Sequence, residues 1–329
     1  MGIQGLLPLL KSIHEHRKIS DFSGQILAVD GYVWLHRGAY GCAAQLVKGE
    51  NTTRYVDYAM HRVRLLKHHN ITPYVVFDGG PLPAKMGTES TRHQSREENR
   101  AKALSLDKEG KHSEARDYFT KAVDVTPEMA YQLIKALKAE DISYIVAPYE
   151  ADAQLTFLER EGIVDGIITE DSDLLVFGCK QVLFKLDSDG NCVCIKRENF
   201  AKVTDITLFG WGDQQFRGMA MLSGCDYLPS IPGLGVKTSH KLLRKHKTIE
   251  GVLHAIRMGS QLKIPPNYLR DFRTAELAFL YQRVYDPRSQ RLVTLSKLPE
   301  DMGDWDDRYV GKDLDPVLAK VLRMVESIL

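Results

Sequence analysis

The sequence predicts an α/β fold, a mainly parallel sheet flanked by helices. Two observations carry that reading. Short apolar runs rich in β-branched residues recur through the first half of the chain, and segments with helical spacing lie between them. Strands that are apolar throughout are those buried on both faces, and strands alternating with helices build parallel sheets covered on both sides. A third observation bears on function: each of these runs closes on an acidic residue.

The runs occupy 25–30, 73–78, 144–150 and 166–171, and each reads as a strand. Between them, 56–66 and 129–137 carry apolar residues at helical spacing. The second is preceded by Thr126-Pro127-Glu128, an N-cap, a first-turn proline and an early acid. The segment 85–125 is polar, charged and helical with little to bury, which suits a projecting arch or lid. After Lys185 the pattern changes. Residues 186–194 read as a short hairpin around Ser188-Asp-Gly190, and the chain from Asp213 onward reads as helical, interrupted by the Gly- and Pro-rich stretch 229–235. The stretch 314–329 reads as one more helix.

At 329 residues, one large domain with a satellite subdomain is expected rather than three independent units. Hydrophobic residues at 43% and charged residues at 26% are ordinary for a globular protein, and no apolar stretch approaches the length of a membrane span. The N-terminus lacks a basic segment followed by an apolar one, which argues against a secretory signal. Leu6 stands where N-myristoylation would require Ser or Thr. The five cysteines, Cys42, Cys179, Cys192, Cys194 and Cys225, lack paired metal-site spacing and read as free thiols of a reducing compartment.

In open α/β sheets, ligands bind beyond the carboxyl ends of the strands. Here those ends are Asp30, Asp78, Glu150 and Asp171, with Asp152 and Asp173 each two residues further on. Any one of them could simply cap a helix or start a turn, as in Asp78-Gly79-Gly80. As a set they imply more, because two carboxylates 4 Å apart repel by about 4 kcal/mol at an effective dielectric of 20. Six or more gathered together require bound cations, and all-oxygen ligands favour Mg²⁺ or Mn²⁺ over zinc. A pair of such ions is the usual device for phosphodiester cleavage.

At these residues the chain resembles the flap-endonuclease/XPG-type structure-specific nucleases. The matching pieces are Met1-Gly-Ile-Gln-Gly-Leu6, Val29-Asp-Gly-Tyr-Val-Trp-Leu-His36, Val76-Phe-Asp-Gly79, Ala147-Pro-Tyr-Glu-Ala-Asp-Ala-Gln154, Thr169-Glu-Asp-Ser-Asp-Leu174 and Leu222-Ser-Gly-Cys-Asp-Tyr227. The resemblance implies a PIN-like core at 1–205 with a helical arch at 83–126. It further implies a helix-hairpin-helix (H2TH) duplex-binding subdomain at 206–285, and a segment 286–329 packing back on the core. It supplies a seventh acid, Asp226, and divides the ligands: Asp30, Asp78, Glu150 and Asp152 for one ion, Asp171, Asp173 and Asp226 for the other. With seven acids set aside, 44 basic residues face 36 acidic ones, so the net charge of +1 hides a basic surface suited to nucleic acid.

Lys85, Arg92, Arg96 and Arg100 are spaced to form one stripe on a helix. Alone that is a solvated charged face; beside a metal site it is a candidate for gripping phosphates. The resemblance matches Lys85 and Arg92 to arch residues at the scissile phosphate. Met86, Gly87, His93 and Gln94 depart from the denser basic run expected there. Tyr32 and His36, four apart on the first helix, are either packing residues or a stacking surface for a base, and the resemblance favours stacking. In Ile231-Pro-Gly-Leu-Gly-Val-Lys237, Gly233 and Gly235 let backbone N–H groups approach a phosphate, with Lys237 as a further contact. The family holds K⁺ or Na⁺ at this hairpin, which maps to Ser223, Ser230 and Leu234.

The expectation is a Mg²⁺-dependent 5′→3′ exonuclease on duplex DNA with 5′-flap cleavage, leaving 5′-phosphates. Flap endonucleases place Tyr where His36 stands, which sets the replicative flap endonuclease second. More distant alternatives are a PIN-type ribonuclease and a DNA-binding scaffold with a dead site. The resemblance also implies a monomeric catalytic domain in the nucleus, no membrane association, and mismatch-repair partners engaged through a C-terminal tail.

Overall fold

In the computed structural model, which describes residues 2–259, 262–299 and 306–313, seven strands form one sheet. They are β1 (Glu15–Lys18), β2 (Ile26–Asp30), β3 (Thr72–Phe77), β4 (Ser143–Val146), β5 (Gly166–Ile168), β6 (Gln181–Phe184) and β7 (Asn191–Lys196). The spatial order is β1-β7-β6-β5-β2-β3-β4, with β6 through β4 parallel and β7 and β1 antiparallel at one edge. From β2 the chain first adds β3 and β4 on one side, then returns to place β5 on the other. The sheet therefore switches direction at β2 and β5, where open α/β sheets have their binding crevice.

Both faces of the parallel strands are buried, as their uninterrupted apolar runs predict. Leu27, Val29, Val75 and Phe77 point into one apolar cluster, while Ala28, Val76 and Ile167 point into the other. The first cluster is closed by helices α2 (Gly31–Tyr40), α4 (Arg54–His68) and α7 (Pro127–Ala139), with the short α3 (Ala43–Val47) beside them; α1 (Leu6–Leu9) feeds the other cluster. The predicted cap of α7 is present, Thr126 Oγ1 accepting from Met129 N.

Two of the expected strands end earlier than their acids. β4 stops at Val146 because Pro148 has no N–H to continue the ladder, and the last bond there is Ala147 N to Phe77 O at 2.8 Å. β5 stops at Ile168, where Thr169 turns its hydroxyl inward. Asp30 lies within its strand and Asp78 directly follows one, but Glu150 and Asp171 sit on the loops beyond.

The segment 85–125 forms α5 (Met86–Lys108) and α6 (His112–Ala122). It buries more than its sequence suggests: Ala103, Ala115, Phe119 and Ala122 are all inside, and α6 packs on α3. The expected hairpin at 186–194 is real, but its first strand begins at Gln181 and joins the main sheet beside β5. The polar strand β1, Glu-His-Arg-Lys, completes that edge without any apolar signal.

Beyond the sheet, α8 (Ala151–Arg160) and α9 (Asp173–Phe177) lie on the second face. With them pack α10 (Asp213–Leu222), α11 (Val236–His246), α12 (Ile249–Gly259) and α13 (Tyr268–Tyr281), through one continuous cluster that includes Phe177, Phe216, Phe272 and Phe279. The region after Asp213 is not wholly helical. β8 (Arg283–Asp286) and β9 (Arg291–Thr294) form a separate antiparallel hairpin, followed by α14 (Asp307–Val310). The helix expected at 314–329 lies outside the described residues. No helix among the described residues is long and apolar enough to cross a membrane. All five cysteines are free, and four are buried.

Candidate metal centre and nucleic-acid interface

A cleft of about 490 Å³ opens over the carboxyl ends of the parallel strands. Asp30, Asp78, Glu150, Asp152, Asp171 and Asp226 line it together with Lys85, Arg92, Arg96, Tyr32 and His36. Asp173 lies behind the lining at the first turn of α9, and is 3% exposed. A second cavity, of about 500 Å³, lies among α10 to α13 and contains none of these acids. Its carboxylates Asp213, Glu250 and Glu276 are all paired, with Arg197, Arg273 and Arg217.

Each acid is fixed by local structure. Asp30 ends β2 and caps α2, its Oδ1 accepting from Val33 N at 3.1 Å and its Oδ2 from Thr169 Oγ1 at 3.0 Å. Asp78 caps a helix from another strand, with Ala151 N donating to its Oδ1 at 2.7 Å. The loops carrying Asp78 and Glu150 are zipped together by Gly79 N to Tyr149 O at 2.7 Å and Gly80 N to Pro148 O at 3.1 Å. Asp171 Oδ1 accepts from Asp173 N at 2.9 Å. Asp226 sits on the turn between α10 and α11, which is closed by the Cys225–Leu228 bridge.

The cations face these acids directly. Lys85 bridges Glu150 at 2.6 Å and Asp226 at 3.4 Å, and its ammonium lies 5.0 Å from the centre of the Tyr227 ring. Arg92 donates to Asp226 at 2.9 Å and to Glu89 at 2.7 Å. The expected four-residue stripe is broken at its start, because Lys85 belongs to a 3₁₀ turn (Pro83–Lys85) ahead of α5. At its other end, Arg96 pairs with Asp124 across the cleft, while Arg100 turns away to Glu97.

The electrostatics are those of a site short of positive charge. Burial and neighbouring carboxylates push Asp30 up to about 7. Asp78 opens onto solvent, yet the surrounding protein and Glu150 raise it to about 6. Asp152 and Asp173 are raised further, by burial and then by Asp171, and Asp171 is itself raised by burial. Asp226 alone among these shifted acids goes the other way: desolvation opposes its charge, but Lys85 and Arg92 hold it below the usual range. Asp173 Oδ1 is buried and has no hydrogen-bond partner.

That unpartnered oxygen and the raised carboxyls fit a hard divalent cation, which takes oxygen ligands and restores the missing charge. Among the described residues no three acid, cysteine or histidine side chains close on a single point, and Lys85 bridges two of the acids instead.

Tyr32 and His36 are half-buried on the cleft side of α2, with Tyr32 edge-on to Phe77 at 6.4 Å. Burial lowers the His36 imidazole, keeping it neutral near pH 7. The Gly-rich turn, at the start of α11, does not line the cleft. Gly233 has φ +86°, which demands glycine, whereas Gly235 has an ordinary φ of −86° and no atom within reach of an added Cβ. Lys237 is exposed and pairs with Asp205 at 3.0 Å. Ser223 ends α10, Leu234 is buried, and a Cβ on Gly224 would come within 3.0 Å of Ser230 Cβ, so the two turns touch.

Several site residues carried no signal of their own. Tyr227 donates to Glu150 and is marked in the sequence only by closing Leu222-Ser-Gly-Cys-Asp-Tyr227. Thr169, which holds Asp30, is marked only by opening Thr169-Glu-Asp-Ser-Asp-Leu174. Gln282, a second donor to Glu150, had no signal at all.

The XPG N-terminal domain family matches residues 1–99 and the XPG I-region family matches residues 141–226. The chain is 46% identical over 320 residues to exonuclease 1 of Arabidopsis thaliana, covering 97% of this chain and 43% of that one. It is 45% identical to exodeoxyribonuclease 1 of Schizosaccharomyces pombe, covering 97% and 56%. The DNA damage-inducible protein DIN7 of Saccharomyces cerevisiae is 41% identical, with 91% and 70% covered. The chain thus spans about half the length of the first two relatives. The same fold occurs in the catalytic core of Rad2 in complex with a DNA substrate, at TM-score 0.60 and 23% identity, covering 78% of this chain and 73% of that one. It also occurs in the junction-resolving enzyme GEN1 in complex with product DNA and a Mg²⁺ ion, at TM-score 0.57 and 20% identity, covering 88% and 66%. The chain therefore belongs to the XPG family and, within it, is a homologue of exonuclease 1.

Proposed function

We propose that this chain is a divalent-metal-dependent 5′→3′ exonuclease on duplex DNA that also cuts 5′ flaps and leaves 5′-phosphates. The observation that carries the reading is the cleft itself: Asp30, Asp78, Glu150, Asp152, Asp171 and Asp226 are among the acids that line it, Asp173 is buried behind them, five of these seven are raised by burial, and Lys85 and Arg92 face them. Its relatives, exonuclease 1 and exodeoxyribonuclease 1, support it, as do Rad2 bound to a DNA substrate and GEN1 bound to product DNA and Mg²⁺.

Asp30, Asp78, Glu150 and Asp152 would hold one Mg²⁺, and Asp171, Asp173 and Asp226 a second, with Mn²⁺ able to substitute. When bound, the pair supplies Lewis-acid activation of water and neutralises charge at the phosphate. Lys85 and Arg92, now on Glu150 and Asp226, are placed to exchange those partners for the scissile phosphate and stabilise its developing charge. Neutral His36 and the Tyr32 ring offer faces on which an unpaired base stacks. Gly233, Gly235 and Lys237 would grip the duplex away from the cut, with K⁺ or Na⁺ held by carbonyls of Ser223, Ser230 and Leu234.

We further take 1–205, 206–285 and 286–329 as the nuclease core, the duplex-binding subdomain and the returning segment. Repair of nuclear DNA as a monomeric catalytic unit, with mismatch-repair partners, completes the proposal.

Degradation of a recessed 5′ end, compared with cutting of a 5′ flap in Mg²⁺, tests it. Resection with weaker flap cutting is expected. Flap cutting without resection would move the protein to the replicative flap endonucleases, and cleavage that survives excess chelator would sink the metal-dependent reading.

A further inference from the structure

Glu150 is held from a part of the chain that neither matched family segment reaches. Its Oε1 faces Lys85 at 2.6 Å, while its Oε2 accepts from the Tyr227 hydroxyl and from Gln282 Nε2 at 2.9 Å. Gln282 closes α13 and has no exposed surface. Its side-chain oxygen has no hydrogen-bond partner, so among the described residues its one side-chain bond goes to Glu150. Half-satisfied buried amides are costly, and an apolar side chain of similar shape would avoid that cost. Flipping the amide would set its oxygen against Glu150 Oε2, which fixes the orientation.

The adjoining backbone is fastened to the same helix. Gln154, also fully buried and one turn along α8 from Glu150, donates to Tyr285 O and accepts from Tyr285 N, both at 2.8 Å. The junction of α13 and β8 is thus tied to α8 at two points, one structural and one on the carboxylate itself.

We infer that Gln282 is a positioning residue of the metal centre: with Tyr227 it pins Oε2 of Glu150 so that Oε1 is the oxygen presented to the cleft. The inference rests on the metal reading of that cleft. Groups that hold a carboxylate ligand from behind set its orientation, and their removal lowers metal affinity about ten- to hundred-fold.

The test is calorimetric titration of the full chain with Mn²⁺, alongside the unfolding midpoint of the metal-free protein. Gln282→Met is expected to weaken Mn²⁺ binding by about ten- to hundred-fold while barely moving that midpoint. Cleavage should fall more at limiting than at saturating Mg²⁺. A role in packing alone would lower the midpoint and leave the affinity in place. Should Gln282→Met fail to fold, Gln282→Asn withdraws the same donor while staying polar, and the same loss is expected. Wild-type protein that binds no Mn²⁺ would overturn the metal reading itself. Wild-type binding that both foldable variants retain within about twofold would overturn the role of Gln282 alone.

Discussion

The Arg92 guanidinium lies 2.9 Å from Asp226 Oδ2, and this contact ties helix α5 to the turn after α10. Thr88 strengthens the tie, its hydroxyl donating to Asp226 O at 3.1 Å. The long helix over the cleft is therefore anchored at its base to one of the acids it faces. On the function proposed above, Arg92 would exchange this carboxylate for a phosphate when DNA arrives. Arg92→Ala should lower single-turnover cleavage about 10²- to 10³-fold. It should also speed hydrogen exchange through the first turns of α5, since an anchor is lost. Unchanged cleavage with faster exchange would leave Arg92 a structural tie and nothing more.

The raised carboxyls predict how the metal-free protein responds to pH. Asp30 is held at about 7 and Asp78 at about 6, both above the 3.8 of an unperturbed aspartate. Above that value the unfolded chain releases protons that the folded chain keeps, so stability falls as pH rises. The stabilisation is complete below the unfolded value and is gone once pH passes about 7. For buried Asp30 alone the change is roughly 4 kcal/mol, and solvent at Asp78 makes its share smaller. Denaturant titration in chelator should show this decline, and excess Mg²⁺ should remove it by binding the ionised form. A stability profile that rises across the same window would contradict the assignment of these acids as an uncompensated cluster.

Asp173 makes the sharpest separation between stability and activity. Its Oδ1 is buried without a partner, and burial with Asp171 nearby raises its carboxyl well above the usual range. A neutral amide of the same shape removes that cost. Asp173→Asn should therefore leave metal-free stability equal or raise it by about 1–2 kcal/mol, as relief of a strained functional group does. Cleavage should be abolished while DNA binding in chelator persists. A clear loss of metal-free stability would mean that this carboxylate is balanced from within the protein.

What the sequence disclosed depended on burial. β2 and β3 were legible because Leu27, Ala28, Val29, Val75, Val76 and Phe77 are buried in the apolar clusters on the two faces of the sheet, and their acids followed directly. β1 was not, since Glu15, His16, Arg17 and Lys18 form an edge strand by pairing with β7 alone. β8 and β9 were lost inside a helical region because each has only four residues. Glu150 and Asp171 were placed one loop too early, the chain having left the sheet at Pro148 and Thr169. Asp226 came from the resemblance, because a turn between two helices carries no strand signal. Gln282 was invisible for a deeper reason: a buried glutamine at a helix end means nothing until the fold puts Glu150 beside it.

The zipper between the loops after β3 and β4 gives a last prediction, at a residue with no functional atom. A Cβ on Gly79 would lie 1.9 Å from Ala147 O and 2.9 Å from Pro148 O, both backbone atoms that cannot step aside. The approach brings Gly79 N to Tyr149 O and thereby sets Asp78 against the start of α8, where Ala151 N binds it. Gly79→Ala must part the two loops, at a cost of about 1–3 kcal/mol typical of forced overpacking. The shift separates Asp78 from Glu150 and Asp152, so metal affinity should fall with stability even though every acid is retained. Gly80→Ala is the comparison, because a Cβ there meets its nearest neighbour, Pro148 O, at an ordinary 3.5 Å. Thermal unfolding and Mn²⁺ titration of the two variants should diverge, with Gly80→Ala close to wild type in both. Equal behaviour of the pair would show that the loops have room to move and that Asp78 is positioned by its own strand.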